Sequence, residues 1–259
     1  MQISTGSYHD FLERIMELSA SGRSSYTCIA NVHMLVEAHA DPAFASVVNE
    51  ADLITPDGVP LTWGLKLLHA VKQERVAGMD ILPDLLQEAE TRQVPVFFYG
   101  GTDEMMKKAA STIAEKFPRL PVAGYYAPPF RTLSAAEEQE VIQTINGSGA
   151  RLVFVVLGCP KQEKWMHAMK GRIMAAMIGI GGALPVFAKM QKRAPEWMRR
   201  IGMEWFFRLC LEPRRLFKRY FITNTRFLFL LTKEWMKMKW RRKHPGPGIV
   251  KPGKPVTGK

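Results

Sequence analysis

Residues 151–166 read RLVFVVLGCPKQEKWM, and this stretch decides the fold. The apolar run inside it does not alternate with polar residues, which predicts a strand over residues 151–158 that is buried on both faces. The run ends in Gly-x-Pro and meets Lys-Gln-Glu, so we expect a helix over residues 162–169. Parallel sheets covered by helices bind ligands at the carboxyl ends of their strands, which makes residues 157–163 a candidate binding loop.

The same change from an apolar run to a glycine-rich or polar loop repeats along the chain. Strands are predicted at residues 25–32, 52–55, 94–101, 120–126, 151–158 and 175–182, and helices at 11–18, 33–39, after 58, at 81–92, 102–117, 134–145 and 162–169. Because strands alternate with helices, the sequence predicts an α/β fold with a Rossmann-like, mostly parallel sheet and helices on both faces.

Positive charge is concentrated towards the C-terminus. Residues 189–259 carry 20 Lys and Arg against 4 Asp and Glu, whereas the whole chain carries 36 against 24. We expect a Rossmann-like domain over residues 1–194, a basic amphipathic helical appendage over 195–243, and a flexible tail rich in Pro and Gly over 244–259. The basic segment indicates an anionic partner, either nucleic acid or a membrane surface.

The appendage pattern favours the membrane surface over nucleic acid. Its basic residues are interleaved with large apolar side chains at helical spacing, and the chain has no DNA- or RNA-binding motif. The stripe at helical spacing consists of Leu216, Tyr220, Phe227, Leu231 and Met238, and its packing on the core beneath a solvated basic face is an alternative interpretation. A nucleic-acid-binding protein with a basic C-terminal arm is the alternative. Exposed aromatic residues can also pair subunits, so a homo-oligomer stays open.

Several classes of protein are disfavoured by composition. The three cysteines lie far apart and form no CxxC pair, which fits a reducing cytoplasm. The first residues contain Asp and Glu and lack an apolar core, so no signal peptide is expected. The apolar run at residues 220–231 is interrupted by Asn224 and Arg226, and it is too short and polar to span a bilayer.

Four predicted strand ends carry unusual loops, namely residues 56–58 (PDG), 99–101 (YGG), 157–163 (LGCPKQE) and 179–182 (GIGG). Glycine lets backbone N–H groups approach a phosphate, so such loops at one edge of a sheet fit a nucleotide diphosphate. The candidate binding glycines are Gly100, Gly101, Gly158, Gly181 and Gly182. Ordinary tight turns are the alternative. A nicotinamide-dependent oxidoreductase is disfavoured because no GxGxxG opens the first βαβ unit.

Asp57 is the candidate general base, because it lies in a strand-end loop rather than on a solvated helix face; a generic Asp-Gly turn is the alternative. Asn31 ends another predicted strand and fits either a ligand contact or a helix cap. Gln162 and Glu163 offer donors and acceptors suited to a uracil or a sugar hydroxyl, or else begin a helix.

No metal or cofactor is expected, because DxD is absent and the histidines show no metal-binding spacing. The charge of a leaving group then has to be met by backbone N–H groups or by arginines. Arg208, Arg215 and Arg219 recur at spacings of 7 and 4, so they share one helix face if the helix continues through Pro213.

Together, the motifs TPDGVPLTW, FFYGG, VLGCPKQEKWM, GIGGALPVFA and KRAPEWMRRIGMEWFFRLCLEPRRLFKRY resemble those of the WecG/TagA/CpsF glycosyltransferases, glycosyltransferase family 26. The resemblance covers residues 30–226, and PDGVPLTW favours exopolysaccharide-type members. It implies an inverting, metal-independent enzyme that moves a sugar from a UDP-sugar to a polyprenyl-diphosphate-linked sugar. It also implies a peripheral protein at the cytoplasmic face of the bacterial inner membrane.

The resemblance also assigns residues to roles. The carboxylate base of the family falls on Asp57, the Asn of its TxN motif on Asn31, and the Gln of its PKQE motif on Gln162. The appendage arginines fall on Arg208 and Arg215. Two positions depart from the family pattern: Ile29 stands where many members have Thr, and either Lys218 or Arg219 completes the set of arginines.

Overall fold

The computed structural model describes residues 1–243, without the side chains of residues 200, 215 and 241–243. It contains one sheet of six parallel strands: β1 (Ser25–Ala30), β2 (Leu53–Pro56), β3 (Val96–Gly100), β4 (Val122–Tyr126), β5 (Leu152–Val156) and β6 (Ala176–Gly179). The strand order is β2-β1-β6-β5-β3-β4. The predicted α/β class and the parallel sheet are confirmed, and every predicted strand overlaps one of these six.

Helices cover both faces of the sheet, as predicted. The helices of the body are α1 (Tyr8–Ala20), α2 (Val32–Ala40), α3 (Pro42–Asn49), α4 (Val59–His69), α5 (Gly78–Thr91), α6 (Asp103–Lys116), α7 (Ala135–Gly147), α8 (Lys161–Met169) and α9 (Ala183–Phe187). One face packs against α1, α5, α6 and α9, and the other against α2, α3, α4, α7 and α8. The sequence reasoning missed α3, although Pro42 in its first turn and the Asp41 cap were readable signals.

Burial explains why the run in β5 does not alternate. All five residues of that strand are buried, and Phe154 stacks on Phe98 of β3 with ring centroids 5.0 Å apart. Tyr125 of β4 stacks on the other side of Phe98 at 5.3 Å. Removing a buried phenylalanine side chain from such a core typically costs about 3–5 kcal/mol, so these three rings hold the centre of the sheet to its edge.

The parallel arrangement places the predicted loops at one edge of the sheet. Asn31 follows β1, Asp57 follows β2, and residues 181–182 come after β6. The β3 end needs glycine: Gly100 has φ 115°, and a Cβ there would lie 2.6 Å from the carbonyl oxygen of Val156. The close approach of β3 and β5 is therefore possible only without a side chain.

The C-terminal third forms three helices: α10 (Glu196–Arg200), α11 (Glu204–Leu211) and α12 (Pro213–Lys243). The helix does not continue through Pro213, because α11 ends at Leu211 and Glu212 leaves the helical region with φ −133°. Proline disfavours a helical residue before it and lacks the N–H that the preceding turn needs. The expectation that Arg208 shares one helix face with Arg215 and Arg219 depended on a continuous helix, and that condition is not met, since Arg208 lies on α11 and the other two on α12.

Helix α12 packs on α2 and α4 of the body through the predicted apolar stripe. Leu216 and Phe227 are buried, and Phe227 and Leu231 lie over Gly64 of α4. The predicted appendage thus contacts the body, while its division from the body at residue 194 stays a prediction. Within residues 1–243, no helix is long and apolar enough to cross a membrane. The predicted flexible tail, residues 244–259, lies outside the described residues.

Candidate active site

Asp57 lies at the carboxyl edge of the sheet, directly after β2. Its backbone N–H donates to the carbonyl oxygen of Ala30 on β1 over 2.6 Å, and Gly58 with φ 102° then turns the chain into α4. Protein atoms surround the carboxylate, yet the residue keeps a partial opening to solvent. Within the described part of the chain, this carboxylate makes no hydrogen bond or ion pair.

The surroundings of Asp57 make its carboxylate a proton acceptor near neutral pH. Burial raises the pKa of Asp57 to about 7, and the negative charge of Glu204 adds to that rise. The positive charges of Arg75 and Arg208 oppose it. A general base works best when its pKa lies near the working pH, so this environment suits proton abstraction.

An ion network lies beside Asp57 and joins the body to the C-terminal third. We call it the clasp; its members are Arg75, Asp80 and Arg193 from residues 1–194, and Arg199 and Glu204 from α10 and α11. Nη1 of Arg75 donates to Oε2 of Glu204 over 3.1 Å, and Nη2 donates to Oδ2 of Asp80 over 2.8 Å. Arg193 also pairs with Asp80, and Arg199 lies 3.9 Å from it.

Sequence reasoning missed the clasp. Arg193 and Glu204 stand in the motifs RAPEW and GMEW, and Arg75 stands in an irregular segment between α4 and α5. A charge beside a tryptophan is usually solvated, and only tertiary packing reveals that Glu204 is 7% exposed. The signal that was available is the presence of Glu204 in the same motif as Arg208, one helical turn before it.

Arg208 reaches the loop after β6. A methyl group at Gly182 would lie 3.0 Å from Nη2 of Arg208, so the missing side chain at Gly182 makes room for the guanidinium. A cavity of about 300 Å³ opens beside this arginine, lined by Met190, Gln191, Lys192, Arg208, Leu211 and Glu212. Its volume is at the lower end of the range for small-molecule sites. The structure therefore brings Asp57, Arg208 and Gly182 to one region of the edge.

Gln162 ties the loops after β5 and β6 together. Its Oε1 accepts from the N–H of Gly158 over 3.1 Å, and its Nε2 donates to Oε1 of Glu163 over 2.8 Å. The same amide fills the space above Gly179 and Gly181, where an added Cβ would come within 3.0 Å of it or closer. Gln162 is 5% exposed, so its side chain lies beneath the loops rather than in the open cleft.

Glu163 is completely buried beneath the same loop. Its Oε2 has no hydrogen-bond partner among the described residues, and burial raises the pKa of this carboxyl group. A protonated carboxyl avoids the cost of an unpaired buried charge. Contact of Glu163 with a ligand stays a prediction, and in this conformation the side chain lies away from solvent.

Asn31 caps the N-terminus of α2, which is the helix-cap alternative that its position after a strand allowed. Its Oδ1 accepts from the N–H of Met34 over 3.1 Å. Next to it, burial and the charge of Arg219 lower the pKa of His33, which shows that Arg219 of α12 approaches the start of α2. Arg219 is partly buried whereas Lys218 is exposed, so Arg219 is the one that faces the body. The side chain of Arg215 is outside the described residues.

Gly100 and Gly101 lie further along the edge. The N–H of Gly101 donates to the carbonyl oxygen of Val156 over 2.9 Å, which holds the β3 loop against β5. Three strands separate β3 from β2, so these glycines are roughly 19 Å from Asp57 at the usual strand spacing. Within residues 1–243, no group of three or more His, Cys, Asp or Glu side chains is placed to hold a metal ion.

Helix α12 exposes apolar side chains on the side opposite its packing stripe. At 100° per residue, Phe221, Phe229 and Met236 point away from Leu216 and Phe227, and they are 65%, 66% and 55% exposed. Neighbouring helices add further exposed side chains, which are Trp63, Leu67, Trp197, Ile201 and Phe206. We call the three exposed residues of α12, namely Phe221, Phe229 and Met236, the apolar face.

Comparison with known proteins identifies what the chain is similar to. The model of the Glycosyl transferase WecG/TagA/CpsF family matches residues 1–241. A protein of Bacillus spizizenii is 32% identical over 194 residues, 74% of each chain, and one of Bacillus subtilis is 34% identical over 189 residues, 71% of each. A protein of Staphylococcus aureus is 28% identical over 200 residues, 76% of each chain. All three are named N-acetylglucosaminyldiphosphoundecaprenol N-acetyl-beta-D-mannosaminyltransferase.

Proposed function

This chain belongs to the WecG/TagA/CpsF family of glycosyltransferases, and from that premise we propose that it transfers a sugar from a UDP-sugar to a polyprenyl-diphosphate-linked sugar with inversion and without a metal ion. The names of its relatives favour N-acetylmannosamine as the transferred sugar and N-acetylglucosamine on the acceptor. The observation that carries the proposal is Asp57, a carboxylate with a pKa of about 7 at the open edge of the sheet.

Asp57 acts as the general base in this proposal. It takes the proton of the acceptor hydroxyl as that oxygen bonds to C1 of the donor sugar, and the bond from C1 to the UDP oxygen breaks on the opposite side. One displacement of this kind inverts the anomeric centre. General-base help typically accelerates a reaction by about 10²–10⁴-fold.

The departing UDP gains negative charge on its β-phosphate. Arg208 lies against Gly182, so in this proposal its guanidinium and the backbone N–H of Gly182 meet that charge. Fixed donors of this kind stabilise a developing charge without reorganisation. Arg219 approaches the neighbouring strand end and supplies a second positive charge, and Arg215 keeps its proposed role by family position alone.

The nucleotide lies along the loops after β5 and β6 in this proposal. Gly158 and Gly181 have positive φ values, 78° and 34°, and Gln162 holds both loops by its amide. The proposed role of Gln162 is therefore to shape the binding loops from below. Gly100 and Gly101 border the same edge and fit the far end of the donor.

The acceptor stays in a membrane because of its polyprenyl chain, and we propose that the apolar face brings the enzyme to it. Basic residues such as Arg226, Lys233 and Lys237 flank that face on α12. Each Lys or Arg near an anionic leaflet contributes about 1 kcal/mol to membrane binding. The proposed location is the cytoplasmic face of the membrane, with the protein attached peripherally. Exposed aromatic side chains on α4 extend the contact to the body.

A transfer assay tests the proposal. The chain is mixed with UDP-N-acetylmannosamine and with vesicles that contain N-acetylglucosamine linked to polyprenyl diphosphate, in the presence and absence of EDTA. The mass of the lipid product is measured by mass spectrometry. We expect one added N-acetylhexosamine and the same rate in EDTA. Asp57→Asn should slow product formation by about 10²–10⁴-fold, whereas Asp103→Asn, which removes an exposed carboxylate from α6, should not slow it. A wild-type chain that forms no product with any UDP-sugar would sink the proposal.

The nucleic-acid alternative makes a different prediction. A basic arm that binds DNA would retain duplex DNA at physiological salt, with affinity falling steeply as salt rises. We expect binding to anionic vesicles and none to duplex DNA, because the basic residues of α12 alternate with exposed aromatic side chains. Gel-shift and vesicle-sedimentation measurements on the same sample separate the two.

A further inference from the structure

Charged groups face Asp57 from two directions. Arg75 and Asp80 come from the segment before α5 and from α5 itself, while Glu204 and Arg208 come from α11. The segment that carries Arg75 is fixed beside the base, because the N–H of Val76 donates to the carbonyl oxygen at the end of β2 over 2.8 Å. Arg75 is thus near enough for its charge to lower the pKa of the Asp57 carboxyl group, yet its hydrogen bonds go to Glu204 and Asp80.

The guanidinium of Arg75 is held by the two other carboxylates. Nη1 donates to Glu204 and Nη2 donates to Asp80, at 3.1 and 2.8 Å. Glu204 is almost fully buried, and its second oxygen lies 3.8 Å from Nε of Arg193. A buried carboxylate between two arginines is held firmly in place, since leaving it unpaired would be costly.

We infer that Glu204 is a positioning residue for Asp57: it holds the Arg75 guanidinium away from the Asp57 carboxylate and so leaves that carboxylate free to accept a proton. The inference rests on the proposed function, in which Asp57 is the general base. It gives a role in the reaction to a residue that touches neither substrate nor the reacting atoms.

The physical reason is competition for one guanidinium. An arginine that loses a carboxylate partner turns to the next one available, and a direct pair with arginine is among the strongest contacts a carboxylate makes. Such a pair would stabilise the ionised form of Asp57 and weaken it as a base. Loss of the negative charge of Glu204 acts in the same direction, because that charge raises the pKa of Asp57.

The arrangement makes the base depend on the C-terminal third. Glu204 lies in the first turn of α11, so it stands beside Arg75 only when that helix is docked on the body. A chain whose C-terminal third has moved away keeps Asp57 and Arg75 together without the competing carboxylate. The strength of Asp57 as a base therefore depends on whether α11 is docked on the body.

The test is the pH dependence of kcat/KM in the transfer assay for the full-length Glu204→Gln variant. Glutamine keeps the size of the side chain and removes its charge. We expect the acidic limb of the profile to move down by roughly one pH unit and the plateau rate to fall, because Asp57 becomes a weaker base. Glu204→Asp keeps the charge and should keep the acidic limb at its wild-type position. Glu140→Gln, which removes an exposed carboxylate from α7, is the control and should not move the limb.

A Glu204→Gln variant that is too slow to assay is tested by infrared titration. The carboxylate band of Asp57, isolated by subtracting the spectrum of Asp57→Asn, should titrate near pH 7 in the wild-type chain and lower in Glu204→Gln. Equal midpoints, or an acidic limb that does not move, would overturn the inference. Full activity of Asp57→Asn would instead overturn the proposed base, so the two failures are distinguishable.

Discussion

The body and the C-terminal third are held by different forces. The body buries continuous apolar strands between two layers of helices, and its central rings stack directly on one another. The C-terminal third meets the body through one apolar stripe on α12 and through the clasp, while it leaves aromatic side chains exposed. Apolar side chains carry no titrating charge, whereas ion pairs weaken as salt rises and respond to pH. The docking of α11, which carries the proposed catalytic Arg208, should therefore depend on charge more than the body does.

The largest expected effect lies in the body, at Asp57. Asp57→Asn should lower kcat by about 10²–10⁴-fold, because the acceptor hydroxyl loses its base. Steady-state rates in the vesicle assay measure the loss, and the circular dichroism spectrum should match that of the wild-type chain. Activity of Asp57→Asn within a few-fold of the wild-type value would mean that the general base is not the carboxylate after β2.

The next effect comes from the C-terminal third. Arg208→Ala should lower kcat by about 10²–10³-fold, since one fixed donor for the leaving group is removed. Arg208→Lys should recover part of the rate, because a charge remains without the planar fork. Lys192→Ala in the lining of the same cavity is the comparison variant, and an equal loss there would mean that net charge rather than position matters.

A smaller effect is expected beneath the nucleotide loops. Gln162→Ala should weaken UDP binding by roughly tenfold, because the amide that holds the N–H of Gly158 is lost. Calorimetric titration with UDP measures the change. Gln143→Ala, an exposed glutamine on α7, serves as the control and should bind UDP as the wild-type chain does. Unchanged affinity in Gln162→Ala would sink the assignment of these loops to the nucleotide.

The apolar face should affect membrane binding without affecting the fold. Replacing Phe221 and Phe229 by Ser removes exposed aromatic area, so we expect vesicle affinity to fall several-fold while the melting temperature stays the same. Phe227→Ala, on the packing side of the same helix, should lower the melting temperature and leave vesicle affinity nearly unchanged. Sedimentation with anionic vesicles and thermal unfolding distinguish them, and equal behaviour of the two faces would contradict the account.

The smallest effect is a dependence of stability on pH. The folded pKa of Asp57, about 7, exceeds the unfolded value, so the folded chain binds the extra proton and stability falls as pH rises from about 4 to 7. Asp57→Asn should therefore melt a few degrees above the wild-type chain at pH 8, roughly 1–4 kcal/mol more stable at most. Equal melting temperatures of Asp57→Asn and the wild-type chain from pH 4 to pH 8 would mean that folding does not raise the pKa of the Asp57 carboxyl group.

Sequence alone predicted the sheet and the positions of its loops, because strands buried on both faces show as apolar runs and parallel strands collect their ends at one edge. It also predicted the apolar stripe on α12, but it favoured a membrane contact for that stripe, whereas Leu216 and Phe227 pack on the body. The sequence left open whether the helix continues through Pro213, and the structure breaks it there, between α11 and α12.

The clasp could not be predicted from sequence. Arg75 and Glu204 are 129 residues apart, and nothing local distinguishes a buried glutamate from a solvated one. Gln162 shows the same limit, since its residue type fits ligand binding while its hydrogen bonds lie within the loops. Such roles depend on long-range packing, which composition and periodicity do not encode.

Calorimetric titration of the full-length chain with UDP, in EDTA and with anionic vesicles present, tests the central claim most directly. The account predicts saturable binding of UDP without a metal ion and no binding of NAD, and Arg208→Ala should weaken the UDP signal because its guanidinium lies against the nucleotide loop. A folded chain that binds vesicles but not UDP would contradict the account.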